Sequence, residues 1–186
     1  MIRAIALVLG LTASAQAAAW GVTDLFQALA KERPGRATFQ ERKFMALLDR
    51  PLESTGELSF TPPDKMEKRT ISPRAERVVV DSERVTLERG GKRYTLGLRE
   101  NPAVAVLVES IRATLAGDLA AVTRSYSVGL DGTPERWRLT IRPLDPTGAQ
   151  IVERIDIEGT HAVVRGVEIR QADGDRSVMT ITPVAR

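Results

Sequence analysis

Period-two alternation, interrupted once, is what most constrains the fold of this chain. Leu52, Ser54, Gly56, Leu58 and Phe60 share one face of an extended segment, and Glu53, Thr55, Glu57 and Ser59 share the other. Such alternation marks a strand with one face turned to a core and one to water. Pro62-Pro63-Asp64 then turns the chain, Lys65 to Ile71 alternates weakly, and Ser72-Pro73 breaks it. Val78 to Val80 and Val85, Leu87 flank Asp81-Ser82-Glu83 as a hairpin, and Tyr94, Leu96 and Leu98 alternate after the turn at Gly90-Gly91. Beyond residue 125 the pattern returns. Tyr126, Val128 and Leu130 precede a turn expected at Asp131-Gly132; Trp137, Leu139 and Ile141 follow, then Ile155 and Ile157 with a Gly159 end. Val163, Val167 and Ile169 lead to a turn at Asp173-Gly174, and Val178, Met179 and Ile181 make the last strand.

The interruption is helical. Asn101-Pro102 opens a helix with Val104, Leu107, Val108, Ile111 and Leu115 as its apolar stripe; Gly117 ends it, and Asp118 caps a second short helix through Val122. A further helix is expected near the start, capped by Thr23, carrying Leu25, Phe26, Leu29 and Ala30, and ended by Pro34-Gly35. The pattern predicts a single α+β domain built on an antiparallel sheet of about ten or eleven strands. A sheet that wide curls, and its concave face needs a cover that the two helical segments can supply. Sheet and cover make either a solid core or an apolar cavity; alternation does not distinguish them.

Residues 1–19 carry a different signal. Arg3 is followed by the apolar run Ile5 to Leu11 and by the small-residue stretches Ala15-Gln16-Ala17 and Ala17-Ala18-Ala19. This is the form of a bacterial secretory signal peptide. The run falls well short of the ~20 residues of a membrane span. The expected division is therefore a signal peptide over 1–19 and one mature domain over 20–186. Cleavage removes Arg3 and no acid, so the net charge of +3 drops by one. The last strand lies close to Arg186, so no additional partner-binding domain is expected after it.

Composition removes several chemistries. With no cysteine, thiol catalysis, disulfides, thiolate metal sites and lipidation of the chain itself are excluded. With one histidine, His161, no imidazole cluster can bind a metal, and His161 sits in a predicted turn with no Gly-x-Ser-x-Gly elbow elsewhere. Asp173 and Asp175 lack the other ligands of a calcium loop. Glu53 and Glu57 on one strand lie roughly 13 Å apart, too far for a glycosidase pair. Lysines and arginines are interspersed with acids, and aromatic residues make up only 4% of the chain, which argues against nucleic acid as a partner. No catalytic residue, metal or cofactor is expected.

Read in order, these segments resemble a known family. Ala37-Thr38-Phe39-Gln40 is followed by Gly56-Glu57-Leu58-Ser59-Phe60-Thr61-Pro62-Pro63-Asp64-Lys65-Met66-Glu67-Lys68 and by Val78-Val79-Val80-Asp81-Ser82-Glu83-Arg84-Val85-Thr86-Leu87. The helical insert with Ile111-Arg112-Ala113-Thr114-Leu115-Ala116-Gly117-Asp118-Leu119 and the final Asp173-Gly174-Asp175-Arg176-Ser177-Val178-Met179 complete the series. The chain is similar to the LolA family of periplasmic outer-membrane lipoprotein carriers, and within it to the LolA-like branch associated with aryl polyene and other envelope-lipid pathways. The order of the motifs carries the resemblance, which spans essentially the whole mature chain.

The resemblance implies an incomplete antiparallel β-barrel with an N-terminal helix and a helical lid over a hydrophobic cavity. It places Phe39, Leu58, Phe60 and Met66 on the concave sheet and Ile111 and Leu115 on the lid. The alternation adds Val78, Val80, Leu87, Tyr126, Trp137 and Leu139 as lining candidates. The implied function is that of a periplasmic, non-enzymatic carrier. It would shuttle an acylated lipid, glycolipid or lipoprotein from an inner-membrane exporter toward an outer-membrane acceptor, as a monomer and without a cofactor. The alternative is a periplasmic lipid-sensing or interaction module on the same half-barrel. One departure matters. Lipoprotein carriers of the family place a lid-latching arginine immediately before the proline of the Pro63-Asp64 turn, and this chain has Pro62 there.

Overall fold

Among the described residues, eleven strands pair in one open antiparallel sheet, in the spatial order β6-β5-β4-β3-β2-β1-β11-β10-β9-β8-β7. The computed structural model describes residues 20–32 and 35–184. Residues 1–19, read above as a signal peptide, lie outside the described residues. The first meander comprises β1 (Gly35–Phe44), β2 (Leu52–Thr61), β3 (Lys65–Ser72), β4 (Glu76–Asp81), β5 (Arg84–Arg89) and β6 (Lys92–Gly97). The second comprises β7 (Tyr126–Thr133), β8 (Arg136–Pro143), β9 (Val152–Thr160), β10 (Val163–Gln171) and β11 (Arg176–Pro183). Pairing of β1 with β11, through Phe39 opposite Ile181 and Glu41 opposite Met179, fuses the two meanders.

This order dictates where the helices go. β6 and β7 are the two edges of the sheet, and the chain between them must cross one face to connect them. That connection is α2 (Pro102–Leu115) and α3 (Leu119–Ser125). Pro102 starts α2 where a missing N–H costs nothing. The Asp118 carboxylate caps α3 by accepting from the Ala121 N–H at 2.8 Å. Helix α1 (Val22–Leu29) packs under their joint, with Leu25, Phe26 and Leu29 buried. Gly117 holds a left-handed φ of +70°, and a Cβ there would stand 2.4 Å from the Ala30 nitrogen, so only glycine lets the α2–α3 joint rest on the end of α1.

The elements differ from the expectations in four places. Helix α1 is capped by Gly21, whose N–H donates to the Asp24 carboxylate at 2.8 Å, so Thr23 lies within the first turn. Strand β1 has no counterpart in the period-two reading. The β7–β8 turn falls at Pro134-Glu135, because Gly132 stays in the ladder opposite Trp137 at a φ of +102°. Between β8 and β9 the break at Asp145-Pro146 is a single helical turn, α4 (Pro146–Ala149), capped by Asp145.

Two apolar clusters result. The larger joins Leu25, Phe26 and Leu29 of α1 and Val122 of α3 to Tyr126, Trp137, Leu139, Ile141, Val152, Ile155 and Ile157 of β7–β9. The smaller joins Val80, Val85 and Leu98 to Val104 and Val108 of α2. Between them the concave face is not filled.

Candidate functional site: an apolar cavity under α2

A cavity of about 520 Å³ opens between the two clusters. This is the size range of small-molecule sites, roughly 300–1,000 Å³. Its floor is the concave face of β1–β4 and β9–β11, and Ile111 and Leu115 of α2 stand over it. The register explains the floor. Neighbours in register share a face, so Phe60, Met66 and Val80 form one row, and Ala37, Leu58, Lys68 and Val78 the next. Val167 and Met179, in register across β10 and β11, extend the wall on the other side, together with Ile169 and Ile181. Toward one end of the strands the wall runs out to Arg36, Pro183 and Val184, all exposed.

The sequence-predicted residues divide cleanly. Leu58, Phe60, Met66, Val78, Val80, Ile111 and Leu115 line the cavity. Phe39, Leu87, Tyr126, Trp137 and Leu139 do not. Phe39 is buried in the sheet beneath Lys68, and a Cβ on Gly56 would come within 2.8 Å of its ring. That Cβ would also stand 2.0 Å from the Arg69 carbonyl, at a register shift between Thr55 and Gly56, so Gly56 accommodates its neighbours and not a ligand. Leu87 continues the row of Val78 one strand beyond the cavity. Trp137 and Leu139 are 2% and 0% exposed, part of the solid core under α1 and α3. The Trp137 indole donates to the His161 carbonyl at 2.8 Å and its ring covers Gly159. Tyr126 is buried too, and its hydroxyl donates to the Val106 carbonyl of α2 at 2.9 Å; burial, with a smaller contribution from Glu109, pushes its pKa up to about 12.

The α2 stripe has an informative burial pattern. The fully buried side chains of this helix are Ser110 and Thr114, both at 0%, whereas Ile111 and Leu115 are only half-buried. Both hydroxyls are satisfied within the helix, by Leu107 and Ser110 carbonyls. The close-packed face of α2 is thus the one bearing small residues, and its large apolar residues at 111 and 115 look into open space.

Arg112, on the same helix, donates to the Ser82 carbonyl in the β4–β5 turn at 2.6 Å. Ser82 holds φ at +52° and its hydroxyl donates to Asp64 in the β2–β3 turn at 3.0 Å. Pro62 offers no donor for a latch, so this tie from lid to sheet comes from the lid side.

One polar cluster interrupts the apolar wall. Glu41 of β1 and Lys68 of β3 form an ion pair, with side chains 16% and 31% exposed. The Glu41 carboxylate also accepts from Ser177 at 2.6 Å and from Ser54 at 3.2 Å. The Lys68 ammonium lies 4.9 Å from the centre of the Phe39 ring. Burial alone would push the Glu41 carboxyl up; the Lys68 charge and hydrogen bond, with the two serine hydroxyls, together outweigh it and hold the carboxyl below its ordinary value.

Sequence reasoning missed this cluster and the wall contributed by β10 and β11. The alternation of Val163, Val167 and Ile169 was legible, but nothing local says that their strand faces the same space as Leu58.

No helix among the described residues is long and apolar enough to cross a membrane. Among solved structures, the chain is similar to a LolA superfamily protein from Nitrosomonas europaea, at 8% identity, covering 88% of this chain and 92% of that one with a TM-score of 0.48. An outer membrane lipoprotein-sorting protein domain from Vibrio parahaemolyticus matches at 9% identity, over 86% and 88% of the two chains, with a TM-score of 0.48. The MucA/MucB complex of Pseudomonas aeruginosa matches at 15% identity over 88% of this chain and 57% of that one, with a TM-score of 0.46. No curated protein matches the chain. The family model described as outer membrane lipoprotein carrier protein LolA-like matches residues 13–186, and the chain belongs to that LolA-like family.

Proposed function

We propose that the protein is a periplasmic carrier that holds one acylated molecule beneath α2 and shuttles it from the inner toward the outer membrane. The observation that carries this reading is the unfilled apolar space under Ile111 and Leu115, beside a core cluster of α1, α3 and β7–β9 that is packed solid. Each methylene removed from water is worth about 0.8 kcal/mol, so a dozen of them supply on the order of 10 kcal/mol. Affinity of that kind needs no cofactor and no bond making. The cargo is an acylated lipid, glycolipid or lipoprotein, received from an inner-membrane exporter and passed to an outer-membrane acceptor, and the carrier acts as a monomer. Residues 1–19 direct export and are removed.

Native mass spectrometry of protein isolated gently from its own periplasm, followed by organic extraction, tests the reading. An acylated species at near one-to-one stoichiometry is the expected result. Protein that is consistently empty and takes up no added acyl probe would overturn it.

A further inference from the structure

Resting on the carrier reading, we propose that Lys68, with its charge neutralised by Glu41, is a subsite for the uncharged carbonyl linkage of the cargo. The protein would then select acyl esters or amides over free fatty acids of the same length.

The argument is an inventory of donors. Glu41 accepts from Lys68, Ser54 and Ser177, which uses the hydroxyl protons of both serines. An ammonium has three N–H bonds. One goes to Glu41 and the Phe39 ring faces a second side, so Lys68 keeps donor capacity on the side that lines the cavity. Lys68 stands between Leu58 and Val78 in register, in the midst of the apolar wall. Of the other charged residues bordering the cavity, Glu32 and Arg36 are exposed, with Arg36 at the end where the wall runs out, and Glu67 is bonded to Arg77 at 2.7 and 2.8 Å.

A partly buried ion pair is a poor device for stability, since apolar residues of similar volume serve about as well. In this position it supplies a strong donor with no net charge. A carbonyl oxygen can accept a charge-assisted hydrogen bond there and leave the site neutral. A carboxylate would place a second anion beside Glu41 in a medium that screens poorly.

Competition against a fluorescent acyl probe tests this with a monoacylglycerol and the free fatty acid of equal chain length. Wild-type protein is expected to favour the ester at least ten-fold. In Glu41→Gln the ammonium loses its counter-charge, and the ester-to-acid preference should shift at least ten-fold toward the acid. Lys68→Met should weaken the ester several-fold and leave the affinity for the pure alkane of the same length unchanged. A preference within two-fold of wild type in both variants would overturn the subsite while leaving the carrier reading intact. Failure of every acyl compound to bind wild type would overturn both. Should Glu41→Gln not fold, the double variant Glu41→Gln/Lys68→Met removes both charges, and retention of the wild-type ester affinity in it would likewise refute the proposal.

Discussion

Two regions of the sheet, β7–β9 and β2–β3, use the same alternating pattern and end in opposite states. In β7–β9, Trp137, Leu139, Ile141, Ile155 and Ile157 are pressed against α1 and α3 and are at most 2% exposed. In β2 and β3, Leu58, Phe60 and Met66 occupy equivalent inward positions and stay half-exposed. The difference lies in what covers them. Helix α1 brings Leu25, Phe26 and Leu29 down onto the second meander, whereas Leu58 and Phe60 of the floor face the open cavity over which Ile111 and Leu115 of α2 stand. Alternation states which way a residue points. Whether it meets a neighbour or a cavity is decided by a helix far away in sequence.

The largest effect expected from this contrast is on cargo. Replacing both Ile111 and Leu115 by Asp puts two charges over the cavity without touching the solid region. Retention of acyl material should be abolished while far-UV circular dichroism stays that of the wild type. Unchanged retention would mean that α2 is not the roof.

Stability should show the reverse asymmetry. Leu139→Ala empties a fully packed site and should cost about 3–4 kcal/mol in urea unfolding of the cargo-free protein. Leu58→Ala removes a side chain that already borders a void and should cost about 1 kcal/mol or less, because less apolar area is removed from water there. Equal losses would erase the distinction between the two regions. Arg112→Ala should act on the lid alone. The loss of one hydrogen bond to the Ser82 carbonyl should lower stability by no more than about 1 kcal/mol and speed release of an acyl probe several-fold. An unaltered release rate would remove Arg112 from the lid's closure.

Much of this architecture is legible in the residues. The faces of β2 and β8, the helical insert and its Gly117 end all follow from periodicity and capping. The placement of the insert across the sheet does not, since it depends on β6 and β7 becoming edges once β1 and β11 pair. Among the lining candidates, Leu58 and Met66 border the cavity, whereas Trp137 and Leu139 lie in the solid core, for the reason just given: α1 covers them. Strand β1 was hidden because its inward row reads Ala37, Phe39, Glu41, and a charged residue there blurs the apolar–polar alternation with Thr38, Gln40 and Arg42. The residue that obscures the strand is the one that makes the cavity polar at one point.

That residue also gives the cavity wall a pH dependence. The folded-state pKa of Glu41 lies below its ordinary value, chiefly because Lys68 outweighs the cost of burial. A lowered carboxyl pKa contributes stability above the unfolded value, and that contribution is lost as pH falls through the folded value. At neutral pH, wild type should therefore exceed Glu41→Gln by about 1–2 kcal/mol, the lower part of the range for hydrogen bonds to a charged group because the pair is partly exposed. In a chain of this size that is roughly 2–8 °C in melting temperature. The gap should narrow as the pH is taken below the ordinary carboxylate range, where the wild-type side chain becomes neutral like the variant's. Leu139→Ala should show no such narrowing, because it removes an apolar side chain from the core cluster and no carboxylate. Thermal melts of both variants against wild type across an acid series make the comparison, and a gap for Glu41→Gln that stays constant to the acid limit would show that the ion pair does not stabilise the folded sheet.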